Sequence, residues 1–316
     1  MEENKTLVPY YKDETIYIPI SSGCLRRCTF CTYGTIKTRY YSVPRQQILD
    51  KICEAVLDKK VLHVCLTGDN TTEYGIDWDG KSHFRELIQR IIKLFPQLKI
   101  LDIMGMTIDD LDSDPDLVKY LTCIKKICRV QLDIQALDEK VRDRALLRES
   151  GEYALYHYML FRERKNVISN IIVGLPDEDE ESFTKTVERI KNFGTSIWSL
   201  TVTPFSAIPG TKASIMRRCS EEEAERRASV LREVIAEHRE RKIRSVLDMH
   251  SPVRAYVHSY GKKRDISILK VLNESIDIEV NGELPLYETV YVYPYEYINF
   301  NEHLNSLRFK GKLEDP

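Results

Sequence analysis

About the first 215 residues alternate β-rich runs with amphipathic helical ones, and this alternation restricts the fold more than any other feature. The β-rich runs cover 14–21, 61–68, 98–105, 129–135, 167–176 and 196–205. Helical spacing fills 45–60, 82–96, 114–127, 139–164 and 179–194. Strands separated by helices cannot pair as hairpins, so the pattern predicts βαβ units and a parallel sheet. Six such units predict an α/β fold, a partial (β/α)6 barrel of the TIM type, with chemistry at the C-terminal ends of the strands.

A long helix over 220–247 follows, opened by "SEEE", a capping box with negative charge at the positive helix end. Its Ala, Val, Leu and Ile residues are expected to pack on the barrel and its charges to face water. Short β runs then fill the rest: "VRAYVHS", "DISILKVL", "SIDIEVNG", "ETVYVYPYEY" and "SLRFKGKL". The expected organisation is a core over 1–250 and a small all-β substrate-binding domain over 251–316.

Charge and cysteine content limit the setting. With 316 residues, 42% hydrophobic, and a formal net charge of −2, the chain can bury a sizeable core and carries no whole-chain basic footprint for nucleic acid. No apolar run reaches the roughly 20 residues of a membrane span, and "MEENKTLVPYYKDE" lacks a signal-peptide pattern. Eight cysteines without that pattern point to thiols in a reducing compartment, the cytoplasm, and to no membrane partner.

Three of those cysteines, Cys24, Cys28 and Cys31, fall in "SSGCLRRCTFC" at a C-x3-C-x2-C spacing. Zinc sites pair a C-x2-C with a second Cys or His pair at a distance, which this stretch lacks. A 4Fe–4S cluster takes one thiolate per iron, so three cysteines would leave one iron open to a small molecule. Phe30 is placed to shield such a cluster, and Arg26, Arg27, Lys37 and Arg39 to offset its negative charge.

The cysteine motif, followed in order by "LTGDNTTEYGID", "MGMT", "IQALDEKV", "NIIVGLPDEDEESFTKT" and "TPFSAIPGTKA", resembles the core of radical S-adenosylmethionine (radical SAM) enzymes, and within them that of methylthiotransferases, over residues 15 to 250. The terminal β region resembles their small TRAM domain in size and position. The resemblance implies a 4Fe–4S cluster on Cys24, Cys28 and Cys31, with SAM on its open iron. One electron would cleave SAM to a 5′-deoxyadenosyl radical that takes hydrogen from a tRNA, protein or peptide. Flavodoxin or ferredoxin would supply the electron. It also implies SAM contacts: Gly68 and Asp69 at the amino group, Gln135 at the end of the fourth strand, Arg148 at the carboxylate. The turn carrying Gly174 and Pro176 would line the adenine.

One departure bears on the reaction. Methylthiotransferases carry an N-terminal domain with three further cysteines for a sulfur-donating cluster, and here the cysteine loop begins at residue 21. A second cluster from Cys123, Cys128 and Cys219 is one replacement. The simpler expectation is that these, with Cys53 and Cys65, are core residues and that one cluster is present. The alternatives are radical SAM chemistry without sulfur transfer (epimerisation, cross-linking, rearrangement) or a non-catalytic Fe–S or RNA-binding module. For the last, tyrosines 256, 260, 287, 291, 293, 295 and 297 are interleaved with Arg254, Lys262, Lys263, Arg264, Lys270, Arg308, Lys310 and Lys312. The expectation is that those tyrosines face the core or the main body.

Overall fold

The computed structural model describes residues 8–12, 14–35, 39–193, 195–261, 264–271, 274–302 and 305–314. Lys37, Lys262 and Lys263 lie outside them. The chain opens with an antiparallel pair, β1 (Tyr10–Lys12) and β2 (Thr15–Pro19). A two-residue ladder of β3 (Ser21–Ser22) and β4 (Tyr41–Ser42) then brackets the cysteine loop, which contains the short helix α1 (Thr32–Thr35).

From there helix and strand alternate. In order come α2 (Arg45–Cys53), β5 (His63–Thr67), α3 (Ile76–Asp79), α4 (Phe84–Leu94), β6 (Ile100–Met106), α5 (Pro115–Cys123) and β7 (Ile127–Leu132). They are followed by α6 (Glu139–Ala145), α7 (Gly151–Arg162), β8 (Asn166–Ile168), β9 (Asn170–Val173), α8 (Glu180–Asn192), β10 (Thr201–Pro204) and α9 (Glu221–Leu247). Strands β2, β5, β6, β7 and β8 pair in parallel in that order. Strands β9 and β10 form a second parallel pair, tied to β7 by a bridge between Gln135 and Ile171. The result is the expected α/β half-barrel.

Strand periodicity gives the half-barrel two unlike faces. Ile16, Ile18, Val64, Leu66, Leu101, Ile103, Val130, Leu132, Val167, Ile171 and Val202 share one core with the surrounding helices. The alternate residues, Tyr17, Cys65, Asp102, Arg129, Gln131, Asn170, Thr201 and Thr203 among them, therefore line the concave face. A closed barrel fills that space with branched apolar side chains. Here it is lined with polar ones.

Local differences from the pattern have physical causes. The fifth strand is two, because Ser169 interrupts the ladder between the partner of β7 and the partner of β10. The sixth begins only at Thr201. Residues Thr195–Ser199 wind into a 3-10 turn that sends Trp198 into the core of the terminal barrel. The helical run 139–164 breaks where Leu146 takes φ 60°, and α7 restarts with Ser150 Oγ accepting from the Tyr153 N–H at 3.0 Å. At α9, Ser220 Oγ caps the Glu223 N–H at 3.1 Å as the capping box predicts. The Glu223 carboxylate, however, turns to Arg226 and Arg227. The helix buries Ala224, Ala228, Leu231, Val234 and Ile235.

Past α9, strands β11 (Val253–Tyr260), β12 (Ile266–Val271), β13 (Ile276–Asn281), β14 (Thr289–Asn301) and β15 (Ser306–Leu313) close into a barrel in the order β11-β12-β13-β15-β14. It sits against the N-terminal ends of the half-barrel strands. Tyr256 packs on Ile100 and Cys128. The Tyr287 hydroxyl donates to the Glu14 carbonyl at 3.2 Å, and Ser275 Oγ bonds Asn166 Oδ1. The Asn305 amide donates to the Ser169 carbonyl at 3.1 Å. A buried charge cluster sits along this seam. Asp102 accepts from His63 Nε2 and Arg129 Nη2, each at 2.8 Å, and Lys270 pairs with Asp277 at 2.8 Å. Arg129 holds the Asp102 carboxyl down at about 2 against the opposing effect of burial. The tyrosine expectation holds for Tyr256 and Tyr287 and fails for Tyr291 and Tyr295, which are 51% and 58% exposed on β14.

Candidate functional site

The cysteine loop lies across the C-terminal ends of the parallel strands, where this fold places its chemistry. Gly23 enters it with φ 82°, a conformation that glycine takes without strain. Its N–H donates to Asp69 Oδ2 at 2.8 Å, and the Leu25 N–H reaches Glu73 Oε2 at 3.4 Å. On the far side the Thr29 N–H donates to the Ala145 carbonyl at 3.1 Å, and Ala213 N–H to the Thr29 carbonyl at 2.9 Å. Cys28 is buried with Ala136, Val141, Leu147, Leu175 and Phe205, and Phe30 and Cys31 pack against the same apolar patch. Phe30 thus lies where it shields the loop.

Behind the loop is a buried hub that the sequence did not reveal. Asp109 Oδ2 accepts from Arg26 Nη1 at 2.5 Å and from the Arg148 N–H at 2.9 Å, while Oδ1 faces Arg142 Nη2 at 3.4 Å. Arg142 also donates to the carbonyls of Ile134, Ala136 and Glu149. Arg26, expected to offset cluster charge, is therefore spent on Asp109, while Arg27 stays exposed. Only the pairing of a charged loop residue with "TIDD" two strands away would have hinted at this contact.

Burial pushes the Cys24 thiol up to about 12 and the Cys28 thiol up to about 11; Glu73 and Cys28 add to the first effect and Cys31 to the second, and Arg26 opposes both. The thiols therefore sense one another, and their ionisation calls for added positive charge. A metal supplies it. Among the described residues no three His, Cys, Asp or Glu side chains converge on a single ion. Three thiols on one short loop, within reach of one another's charge, suit a cluster that takes one thiolate per iron.

The other sequence candidates fall around the same rim. Gly68 directly follows β5, and a Cβ there would clash with Ser21 Oγ, so its glycine serves close packing under the loop. Asp69 is exposed and steadies Gly23. Thr71 Oγ1, in the same turn, is buried without a hydrogen-bond partner among the described residues. Gln135 takes φ 68° at the end of β7, where its backbone bonds Asn170 and Ile172 and its amide has no partner among the described residues. Arg148 is tied by its N–H to Asp109, and its exposed guanidinium has no ion pair among the described residues. Gly174 and Pro176 are buried; the Gly174 N–H is taken by Glu178 Oε1 at 2.9 Å, and Glu178 by Arg227 Nη1 at 3.0 Å.

The cysteines weighed for a second cluster are not brought together. Cys123 is exposed, Cys128 is buried at the seam against Tyr256, and Cys219 contacts the Gly174 carbonyl near the opposite strand ends. Cys53 and Cys65 lie in or against packed core, as expected of small apolar residues. No disulfide joins any of the eight cysteines.

A parallel half-barrel with a cysteine loop on its C-terminal rim defines an enzyme core for cluster chemistry. Residues 18–190 match the model of the radical SAM superfamily, and the chain belongs to that superfamily. Its cofactors are accordingly a 4Fe–4S cluster and SAM. Among curated relatives, a threonylcarbamoyladenosine tRNA methylthiotransferase of Rickettsia prowazekii is 28% identical over 221 residues, covering 69% of this chain and 51% of the relative. A ribosomal protein uS12 methylthiotransferase of Carboxydothermus hydrogenoformans is 28% identical over 217 residues, covering 64% and 45%. The chain spans about half the length of the curated relatives it matches. A cobalamin-binding radical SAM methyltransferase from Kitasatospora setae shares the fold, with a TM-score of 0.50 at 17% identity over 63% of this chain and 38% of that one. Among the described residues no helix is long and apolar enough to cross a membrane.

Proposed function

We propose that Cys24, Cys28 and Cys31 hold one 4Fe–4S cluster and that this enzyme takes hydrogen from an unactivated C–H bond of a macromolecular or peptide substrate. When bound, cluster and SAM together supply a one-electron cleavage of the S–C5′ bond to methionine and a 5′-deoxyadenosyl radical. The observation that carries the reading is that one short loop carries Cys24, Cys28 and Cys31, each within reach of a neighbour's charge, on the strand-end rim of a polar-lined half-barrel. The protein's own part is placement. Asp69 and Glu73 hold the loop backbone, Asp109 locks Arg26 behind it, and the Cys28 patch keeps water from the sulfurs. We assign Gly68, Asp69, Gln135, Arg148, Gly174 and Pro176 to the SAM pocket, with the Gln135 amide and the Arg148 guanidinium as its polar contacts.

Methylthio transfer is the outcome suggested by the relatives' names, on a tRNA or a ribosomal protein. The scattered positions of Cys123, Cys128 and Cys219 favour a single cluster, and with it reactions that need no auxiliary sulfur source. Eight cysteines with no disulfide among them suit a reducing, cytoplasmic setting, with a flavodoxin or ferredoxin as electron donor. Anaerobic reconstitution with iron and sulfide tests the reading: about four irons per chain and 5′-deoxyadenosine from SAM are expected. Both should vanish in Cys28→Ala. Normal deoxyadenosine formation by that variant would refute the assignment.

A further inference from the structure

At the open edge of β10, where the half-barrel stops short of closing, a cleft of about 360 Å3 lies between α9 and the start of the turn after β14. Thr201, Val202, Arg232, Arg239, Phe300 and Glu302 are among its walls. The Arg239 guanidinium carbon lies over the Phe300 ring, 3.6 Å from its centroid, and its Nε donates to the Trp198 carbonyl at 3.3 Å. Both Nη groups lack a partner among the described residues, and no carboxylate there pairs with this guanidinium. Burial accordingly holds its pKa below the usual guanidinium range, with Tyr297 and Glu302 opposing. Arg232 reaches the Val202 carbonyl with Nε and Nη2, at 3.3 and 3.1 Å, and Glu225 with Nη1. Glu302 forms no ion pair with either arginine.

We propose that this cleft binds a phosphate oxyanion of a nucleic-acid substrate, with Arg239 as its principal donor and Arg232 beside it. Protecting a sheet edge would use up the two carbonyl contacts and leave no reason for a half-buried guanidinium held over a ring with two nitrogens spare. An oxyanion supplies the missing acceptors, and a fork of N–H donors fits it.

The neighbouring inner face decides between a phosphodiester and an acidic peptide. Thr201, which lines the cleft, also turns its hydroxyl to Asn170 Oδ1 at 3.1 Å, and Thr203 does the same at 3.1 Å. With Oδ1 taken by the threonines (the Thr201 hydroxyl is shared with the Ser169 carbonyl at 3.2 Å), the Asn170 NH2 is left as a donor. The Asn170 backbone N–H and the Gln131 amide hold the Asp133 carboxylate beside it. A donor next to an acceptor is the complement of a nucleobase edge. A nucleotide carries an anion and such an edge together; an acidic side chain satisfies only the cleft. The inference rests on the reading that the concave face is the reaction chamber.

The test uses the reconstituted enzyme with SAM and three fluorescent probes: a single-stranded oligoadenylate, its uncharged methylphosphonate analogue and a polyaspartate peptide. The oligoadenylate should bind with strong salt dependence. Arg239→Gln should weaken it about tenfold or more and flatten the log–log salt slope by about 0.7 per lost phosphate contact. Arg239→Lys should keep the slope, which separates lost charge from lost folding. Methylphosphonate binding should not respond to either variant. The proposal is overturned if the wild-type enzyme does not bind oligoadenylate, if Arg239→Gln leaves affinity and slope unchanged, or if polyaspartate binds more tightly. A wild-type enzyme that binds oligoadenylate in this way and forms no 5′-deoxyadenosine would refute the reading of function while leaving the cleft's assignment standing.

Discussion

Replacing Asp109 with alanine should unseat the cysteine loop from behind. The carboxylate lies against two guanidinium groups whose side chains are 4% and 2% exposed, at 2.5 Å from Arg26 and 3.4 Å from Arg142. It also accepts the Arg148 N–H at 2.9 Å. Removing one partner from a buried charge pair costs about 3–5 kcal/mol, because the remaining charge stays buried. Arg142 retains three carbonyl acceptors, which softens its share of the cost. Asp109→Asn keeps the shape and an acceptor for the Arg148 N–H and should cost about 1–3 kcal/mol. Against a total stability of about 5–15 kcal/mol, the alanine variant should show a clearly lower urea midpoint for the apoprotein. After anaerobic reconstitution it should also hold less iron, with the asparagine variant between it and the wild type. An alanine variant within about 0.5 kcal/mol of wild type, the range of ordinary surface changes, and with full iron content would refute the argument.

Three further outcomes follow from the site. Asp69→Ala should weaken SAM binding about tenfold, the scale of a charge-assisted hydrogen bond, with iron content retained; unchanged affinity by equilibrium dialysis would reduce Asp69 to a brace for Gly23. Replacing Cys123, Cys128 and Cys219 together with serine should leave iron near four per chain, whereas a loss of half of about eight would restore a second cluster. Burial pushes Asp133 up to about 6, so the native state binds more protons than the unfolded chain between the ordinary carboxylate range and that value. Stability should therefore fall as pH rises through this window. Asp133→Asn should remove that part of the decline, and identical urea midpoints against pH for variant and wild type would contradict it.

The half-barrel was legible because its strands and helices differ in period, and periodicity survives without knowledge of tertiary contacts. The cysteine loop was legible because thiol spacing is local. The rest depends on meetings between distant residues. Nothing in "CLRRC" says that Arg26 will be neutralised by Asp109, or that the Arg148 backbone rather than its guanidinium will join that hub. Gln135 was visible as a strand-end polar residue, but its left-handed backbone was not. The run 196–205 reads as one strand because Ile197, Trp198 and Leu200 suit a strand. Only the terminal barrel, by taking Trp198 into its core, bends the first half out of the sheet. The tyrosines of β14 alternate as any strand does, and a closed barrel turns one set outward into water at Tyr291 and Tyr295.

The seam beneath the half-barrel has a bearing on how this molecule can be taken apart. His63, Asp102 and Arg129 are polar groups at the foot of the sheet, and Tyr256, His258 and Lys270 of the terminal barrel cover them. Cutting the chain after α9 would leave that charged floor open to solvent and strip Trp198 of its surroundings. The catalytic half is thus not a free-standing module to which a recognition module has been appended. Heating should melt both parts in one calorimetric transition. Any chimera that exchanges the terminal barrel must bring matching floor residues with it.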